Sequence, residues 1–324
     1  MKLIERSQSP FMEPCNSCAK RSADFFIALI PVVIWSVWMF GLRSLILIIT
    51  SALSFGFFDF CLSYIIMKRI SPPDAGMILR GVLFALLLPI DAPIVLIGFA
   101  ALIASLIKWL IGYAARHGRV IDPLVGAYML TFVIFRSSFA IKYTAWSKLS
   151  LSAKGLGAEA FPDPTALVLS GKVPEIAIKD LLIGNYFGYI GCVSTILIVA
   201  GFAYLVLRGR IKPWGSAAGV VVVGLFAYLS IQGNVPRTTN IYFNVCAGTL
   251  LFAFVFIMTL DGVSPVTNGG KIVFGLLAGA VVAAMRYFSL SSDAVMLSIL
   301  ILTPLSSLLD KLFTPKPFSK AMTL

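Results

Sequence analysis

The chain has 324 residues, of which 59% are hydrophobic and only 12% carry a charge. With a mean hydropathy of +0.96, it has too few polar side chains to cover a soluble globule of this size, which excludes a water-soluble enzyme or binding domain. The formal charge of +12 is explained by basic loops at one membrane surface, and not by a nucleic-acid partner.

The chain starts with a polar segment, and no small-residue cleavage site follows its first apolar run, which predicts a retained tail and no signal peptide. Apolar runs of membrane-spanning length then recur almost to the C-terminus. We predict ten transmembrane helices, of which the third is short for a full crossing. They cover about residues 24–42, 44–67, 77–90, 92–114, 121–141, 183–207, 214–232, 239–260, 271–288 and 291–312.

Lysine and arginine collect in alternate connections, which orients the helices because short cytoplasmic loops are enriched in these residues. Both termini are therefore predicted to be cytoplasmic, in the inner (plasma) membrane. Arg43 and Arg237 are exceptions in outer turns. The inner segments hold Lys2, Arg6, Lys20, Arg21, Lys68, Arg69, Arg116, Arg119, Arg208, Arg210, Lys212, Lys311 and Lys316.

A long polar interval divides the predicted helices into two groups of five. The predicted organisation is a cytoplasmic tail (1–23), a first five-helix half (24–141), an extracytoplasmic loop (142–182), a second half (183–312) and a second cytoplasmic tail (313–324). Because each half has an odd number of helices, the second half is inverted relative to the first.

The two halves share a pattern that favours an internal repeat. The run "GVLFALLLPIDAPIVLIG" in the first half and the run "GTLLFAFVFIMTLDGVSPVT" in the second both begin with glycine and break at an Asp that is followed shortly by Pro. These breaks, at Asp91 and Asp261, resemble the paired discontinuous helices of transporter folds. The alternative is a chance similarity between Gly-, Leu- and Phe-rich segments.

Several motifs resemble those of the RnfD/NqrB family, the membrane flavoprotein subunits of Rnf electron-transport complexes and sodium-pumping NADH:quinone oxidoreductases. They are "SQSPF", "DAGMILRGVLFALLLP", "IDPLVGAYML", "IGNYFGYIGCVS" and "MTLDGVSPVTNGGKIVFG". The most specific is the Gly-Asn-x-x-Gly-x-Ile-Gly pattern that opens the sixth helix, because hydrophobicity alone does not explain it.

The resemblance implies an all-α fold similar to urea and ammonium channels, built from two inverted five-helix repeats. It also implies FMN as a cofactor, with riboflavin as a second candidate flavin. The implied partners are the lipid membrane and the other membrane and extracytoplasmic flavoprotein subunits of an Rnf- or Nqr-like complex.

The family joins FMN to a threonine of an Asp-x-x-Ser/Thr-Gly-Ala-Thr motif, and alignment places Thr165 of the segment "EAFPDPTALVLSGK" at that position. Glu159 falls where the family has Asp. The small residues before the acceptor are replaced by Pro162, Asp163 and Pro164, which stiffen the approach and add a negative charge. The alternative is that Thr165 is an ordinary turn residue or helix N-cap.

Ionisable side chains inside apolar spans are costly, so each is a candidate functional residue. We predict that Asp59, Asp91 and Asp261 line a path for sodium ions or protons. The alternative is that Arg80 pairs with one of the acids, or that Asp59 lies near the membrane surface beside Lys68.

Cys15 and Cys18 form a CxxC pair in the N-terminal tail, which could supply half of a metal site completed by another subunit. His117 is the only histidine, so a catalytic triad is excluded and no catalytic residue is predicted. The other cysteines are spread through the helices, as small apolar residues are.

Two classes of function follow. The first is a subunit of a membrane oxidoreductase (translocase) complex, which carries electrons through flavin and is coupled to Na⁺ or H⁺ movement. The second is a transporter or channel on the same fold, which moves a small solute or a flavin without redox chemistry.

Overall fold

The structure is a computed structural model, and eight stretches of the chain are described. They are residues 18–68, 74–114, 121–139, 164–174, 176–186, 188–230, 235–288 and 294–314.

The described stretches contain helices, turns and irregular connections but no β-strand, so the predicted all-α class is confirmed. The helices are α1 Cys18–Phe40, α2 Leu42–Met67, α3 Ala75–Leu86, α4 Ile94–Ala114, α5 Pro123–Ile134, α6 Pro164–Leu169, α7 Ile178–Ile183, α8 Thr195–Leu207, α9 Trp214–Leu229, α10 Arg237–Cys246, α11 Leu250–Phe252, α12 Asn268–Tyr287 and α13 Ala294–Phe313. A 3₁₀ turn, Arg136–Ser138, follows α5, and a π-helical turn, Ala253–Ile257, continues α11.

Within the described stretches, four helices are long and apolar enough to cross a membrane by themselves, namely α1, α2, α12 and α13. A fifth crossing results if α10 and α11 with its π turn form one span, bent by 52°. The apolar helices α3, α5, α8 and α9 are shorter, as is the part of α4 whose side chains are described, Ile94–Leu110. Large apolar side chains such as Trp38, Leu53 and Val133 are exposed, as expected where lipid surrounds the protein. The chain is therefore a multi-pass membrane protein.

The helices of the two halves contact one another in the same order. In the first half α2 packs on α3 and α4, and α4 packs on α5. In the second half α9 packs on α10 and α12, and α12 packs on α13. Contacts of α1 with α8 and of α5 with α13 join the halves.

The predicted helix over 183–207 is wrong in its first part. Helix α7 ends at Ile183, the described residues 184–186 and 188–194 are irregular, and α8 begins only at Thr195. The backbone N–H groups of Ile190 and Gly191 bond the carbonyls of Leu88 and Leu86, at 3.0 and 2.7 Å. A Cβ on Gly191 would lie only 2.5 Å from the Cβ of Leu86. The glycines of this segment thus allow one irregular backbone to pack directly on the end of α3.

The second half also contains an unpredicted bend, because the helix predicted over 239–260 is interrupted after Cys246. Gly248 has a positive φ of 73° at this bend, a conformation that glycine adopts without strain. The π turn that follows widens the helix, and the Ser216 hydroxyl of α9 donates to the Phe254 carbonyl at 2.6 Å. A side chain of a neighbouring helix therefore helps to satisfy the distorted backbone.

Helices α9 and α12 approach each other through glycines. A Cβ on Gly275 would lie 2.0 Å from the Gly215 carbonyl oxygen, and one on Gly279 would lie 2.6 Å from that of Gly219. Small residues at such positions let two membrane helices pack backbone against backbone.

Candidate functional site

Most of the described ionisable side chains lie at one end of the helix bundle, which we call the charged end. Helices α1, α3, α5, α9 and α12 begin there, and α2, α4, α8 and α13 end there. The opposite end, where α2 begins and α3 ends, is called the far end. The charged end contains Arg21, Asp24, Asp59, Asp74, Arg80, Lys108, Asp122, Arg208, Arg210, Lys212, Asp261, Lys271 and Asp310.

Asp59 is buried near the end of α2, with 3% of its surface exposed. Its partner is Lys108 of α4, whose Nζ lies 2.8 Å from Asp59 Oδ1 and 3.3 Å from Asp74 Oδ2. The proposed neighbour Lys68 is therefore not the residue that neutralises Asp59. Burial raises the pKa of Asp74, but the hydrogen bond from the Gly76 N–H and the positive charge of Lys108 outweigh it, so this pKa is lowered.

Arg80 of α3 connects both halves of the chain at the charged end. Its Nη2 lies 2.7 Å from Asp122 Oδ2, and the same nitrogen donates to the Asp261 carbonyl at 3.3 Å. Asp122 also caps α5 by accepting a bond from the Leu124 N–H at 2.9 Å. The alternative that Arg80 pairs with one of the three candidate acids is wrong in its partner, because the carboxylate that binds Arg80 belongs to Asp122.

Asp261 lies in the second break, between the π turn and α12, and its carboxylate pairs with Arg21 of α1. Two cavities adjoin this ion pair. One, of about 170 Å³, extends towards Asp74 and Arg80. The other, of about 110 Å³, extends towards Lys212 and Lys271. The charged end therefore has two cavities lined partly by charged side chains, and both Arg21 and Asp261 contribute to the lining of each.

Asp91 lies at the far end, in the first break between α3 and α4. The carbonyls on either side of it are held by Arg43 from the start of α2, whose Nε donates to Ile90 at 2.7 Å and whose Nη2 donates to Ala92 at 3.4 Å. Arg43, an exception to the charge rule, thus stabilises carbonyls that a broken helix cannot satisfy itself. Of the three candidate acids, Asp59 and Asp261 share the charged end, whereas Asp91 does not.

Thr165 lies in the first turn of α6, which begins at Pro164, so it is not the N-cap of that helix. Its side chain is fully buried, and a Cβ on Gly248 would lie 3.1 Å from its hydroxyl oxygen. The hydroxyl thus faces the bend between α10 and α11. In this conformation it does not fit a group that accepts a flavin phosphate at the protein surface.

Several predicted residues lie outside the described part of the chain, namely Cys15, His117, Glu159, Pro162 and Asp163. The described residues contain no group of three His, Cys, Asp or Glu side chains that could hold a metal ion. Cys61, Cys192 and Cys246 lie within the helix bundle as thiols that form no disulfide with a described residue.

The sequence reasoning missed Lys108, Asp122 and Arg286 as structural charges. Arg286 of α12 is 3% exposed and donates to the Asn244 carbonyl at 2.5 Å. Lys108 and Arg286 could have been found by the rule that singled out Asp59, since both are charged residues within apolar segments. Asp122 could have been found as an N-cap before Pro123, because Pro is favoured at the first helical position.

Comparison with known proteins shows relatives along nearly the whole chain. A subunit of the proton-translocating ferredoxin:NAD⁺ oxidoreductase complex of Clostridium ljungdahlii is 29% identical, over 96% of this chain and 95% of the relative. A subunit of the Na⁺-translocating ferredoxin:NAD⁺ oxidoreductase complex of Acetobacterium woodii is 26% identical, over 94% and 92%. A subunit of an ion-translocating oxidoreductase complex of Methanosarcina acetivorans is 27% identical, over 81% and 78%.

A family model agrees with these pairwise similarities. The model described as the NQR2, RnfD, RnfE family matches residues 5–319. The match includes both halves, both breaks and the charged end. The chain therefore belongs to the NQR2, RnfD, RnfE family.

Proposed function

We propose that this chain is a membrane subunit of an ion-translocating electron-transport complex in the inner (plasma) membrane. The observation that carries the proposal is the end-to-end match with relatives that are named as subunits of ferredoxin:NAD⁺ oxidoreductase complexes. Other subunits, including extracytoplasmic flavoproteins, are the proposed partners. The chain itself contributes a membrane framework and not a catalytic side chain.

The proposed framework consists of two inverted five-helix repeats with a channel-like fold. The equal order of helix contacts in the two halves supports it, because α2, α3 and α4 are arranged as α9, α10 and α12 are. The positions of the breaks at opposite ends of the bundle support it as well. In this proposal the shorter helices complete ten crossings together with the irregular segments next to them.

The charged end is proposed to face the cytoplasm. Basic side chains in the turns near membrane helices favour the cytoplasmic side, and Arg208, Arg210 and Lys212 lie together in the turn between α8 and α9. The far end, with α6 and the first break, then faces outward.

Ion movement is proposed to involve Asp59, Asp91 and Asp261. Asp59 and Asp261 lie at the charged end beside exchangeable ion-pair partners, Lys108 and Arg21. Asp91 marks the opposite opening, in the first break. The names of the relatives give protons in one case and Na⁺ in the other, and the vesicle experiment described below identifies the ion for this chain.

A flavin is proposed on the basis of the family resemblance, as FMN with Thr165 as the candidate acceptor. The buried hydroxyl does not favour a covalent bond, because α6 would have to move away from Gly248 before Thr165 could react. We therefore derive no electron-transfer step through this residue.

The main test compares membrane vesicles from cells that have or lack this chain. We expect NAD⁺ reduction by reduced ferredoxin, and the ion uptake that accompanies it, to be lost on deletion and restored by the full-length chain. If ion uptake requires Na⁺, the coupled ion is sodium. If a protonophore abolishes the uptake, the coupled ion is the proton. If deletion leaves both rates unchanged while the purified chain in liposomes transports a solute, the channel alternative replaces this proposal.

The flavin is tested on a denaturing gel. A fluorescent band that persists in Ser170→Ala and is lost in Thr165→Ala supports covalent FMN, since Ser170 is an exposed hydroxyl of the same segment. A dark band with flavin recovered from the native protein supports a non-covalent flavin. A dark band without recovered flavin removes the flavin part of the proposal.

A further inference from the structure

The smaller of the two cavities at the charged end has an excess of positive charge, and we call it the cationic cavity. Arg21, Lys212 and Lys271 line it, and Asp261 is the only acidic side chain among the described residues of its lining. The Asp261 carboxylate is already paired with Arg21. The remaining lining consists of neutral residues from α9, the second break and the turn before α9.

The cations of this cavity retain donors that no described group uses. Lys271 makes no hydrogen bond or ion pair within the described part of the chain, although it is half-buried. The Nε of Arg21 is buried and has no hydrogen-bond partner among the described residues. Lys212 donates to a neutral acceptor, Asn268 Oδ1, at 2.7 Å. Two carboxylates attract the Lys271 ammonium, but Asp261 is paired with Arg21, and Asp310 accepts bonds from the backbone N–H groups of residues 266 and 267. The cavity thus keeps an excess of positive charge, which is costly unless a further anion binds.

Backbone donors add to the same cavity. Gly215 and Ser216 line it from the first turn of α9, where N–H groups have no partner within the helix. The residue before this helix is Pro213, which provides no side-chain cap. The positive end of the α9 dipole therefore faces the same space as the three cations.

The volume of the cavity and its depth in the membrane indicate which anion fits. Its volume of about 110 Å³ exceeds the roughly 10–15 Å³ that one buried water needs, so a group with several oxygens can enter. Guanidinium, ammonium and backbone N–H groups together provide hydrogen-bond donors in several directions, which suits the tetrahedral arrangement of the oxygens of a phosphate. Lys271 lies in the first turn of the span that begins at Asn268, which puts the cavity near the membrane surface.

We propose that the cationic cavity is a binding site for a phosphate group, supplied either by an anionic lipid headgroup or by a soluble phosphate compound. The phosphate lies between Arg21, Lys212 and Lys271 and accepts bonds from the start of α9. The cavity shares Arg21 and Asp261 with the proposed ion path, but phosphate binding is measured on this chain alone, without partner subunits.

The first experiment measures the melting temperature of the full chain in zwitterionic detergent against inorganic phosphate at constant ionic strength. In Lys271→Gln we expect the apparent affinity to fall about 10- to 100-fold, the effect of losing a hydrogen bond from a charged group. Lys311→Gln is the matched control, because Lys311 is an exposed lysine near the same end but outside the cavity. Its affinity should equal that of the unmodified protein.

The second experiment separates the two sources. Native mass spectrometry after mixing with phosphatidylglycerol or phosphatidylcholine micelles counts the retained lipids. Retention of phosphatidylglycerol alone, lost in Lys271→Gln and kept in Lys311→Gln, supports a lipid headgroup. Stabilisation by inorganic phosphate without lipid retention supports a soluble compound. Neither effect, or equal effects in the two variants, overturns the proposal.

Folding of the variants is checked by circular dichroism without phosphate. If Lys271→Gln loses helical structure, Lys212→Gln takes its place, since Lys212 is exposed and lies outside the helices, in the connection before α9. The same criteria then apply to that variant.

Discussion

The carbonyls that lose their helical partners at the two helix breaks are hydrogen-bonded in different ways. Each break leaves carbonyls without helical partners inside a membrane protein, where lipid cannot satisfy them. At the first break, backbone N–H groups of residues 190 and 191 and one side chain, Arg43, supply the donors. At the second break, Arg21 donates to the Thr259 carbonyl and Arg80 donates to the Asp261 carbonyl.

The difference lies in charge and access. The first break is covered by a glycine-containing segment of the other half, which packs directly on the end of α3. The second break is held by side chains that also form ion pairs, and two cavities reach it. Side-chain ion pairs can exchange partners more readily than backbone hydrogen bonds between tightly packed segments can. We therefore expect water and ions to enter at the second break.

The largest loss of stability is expected at the second break, where Arg80, which donates to the Asp261 carbonyl, forms a buried ion pair with Asp122. Asp122→Asn keeps a cap for α5 but removes the charge that neutralises Arg80, whose side chain is only 15% exposed. Because loss of one partner leaves a buried charge, the free energy of unfolding should fall by about 3–5 kcal/mol. Thermal unfolding in detergent measures the change.

The double variant Arg80→Met with Asp122→Asn is the control for this pair. Removal of both charges should restore a large part of the lost stability. A double variant as unstable as the single one would show that the pair is not the cause.

At the first break, Arg43→Gln should have the next largest effect. It removes the charged donor to the Ile90 and Ala92 carbonyls, and hydrogen bonds to charged groups contribute about 1.5–3 kcal/mol each. Arg237→Gln is the matched control, because Arg237 is exposed at the same end and its guanidinium contacts the Tyr228 ring. Equal melting temperatures of the two variants would contradict a role of Arg43 at the break.

Close packing at the first break can be tested with Gly191→Ala. The added methyl group would overlap with Leu86, and overpacking of this kind costs about 1–3 kcal/mol. Gly98→Ala in α4 is the control, since no described atom beyond its chain neighbours and the nearby backbone of its own helix lies within 4 Å of a Cβ there, and alanine favours a helix. The first variant should melt at a lower temperature and the second at the same or a higher one.

The smallest effect concerns Asp74, at the edge of the charged end. Its pKa is lowered below the ordinary value of 3.8, so its contribution to stability is complete above that value and is lost as the pH falls through the folded-state pKa. Because the side chain is 51% exposed, the contribution should stay below about 1 kcal/mol. Melting curves from pH 6 to pH 3 should decline less steeply in Asp74→Asn. Parallel curves for the two proteins would contradict this assignment.

The sequence predicts the helical class and both breaks, because the length of an apolar run and an Asp followed shortly by a Pro are local signals. It does not predict that residues 184–186 and 188–194 are irregular, since their apolar composition resembles a helix and only the contact with α3 shows otherwise. The partners of Asp59 and Arg80 were also missed. Lys108 and Asp122 are distant in sequence from the residues that they neutralise, and one sequence carries no record of such long-range pairs.

The glycine contact between α9 and α12 has a mechanical consequence. Where a carbonyl of one helix rests on a glycine of the other, neither helix can roll about its axis without a collision. The two should therefore move as one rigid unit, and any rocking of this half should be absorbed at the hinge around Gly248.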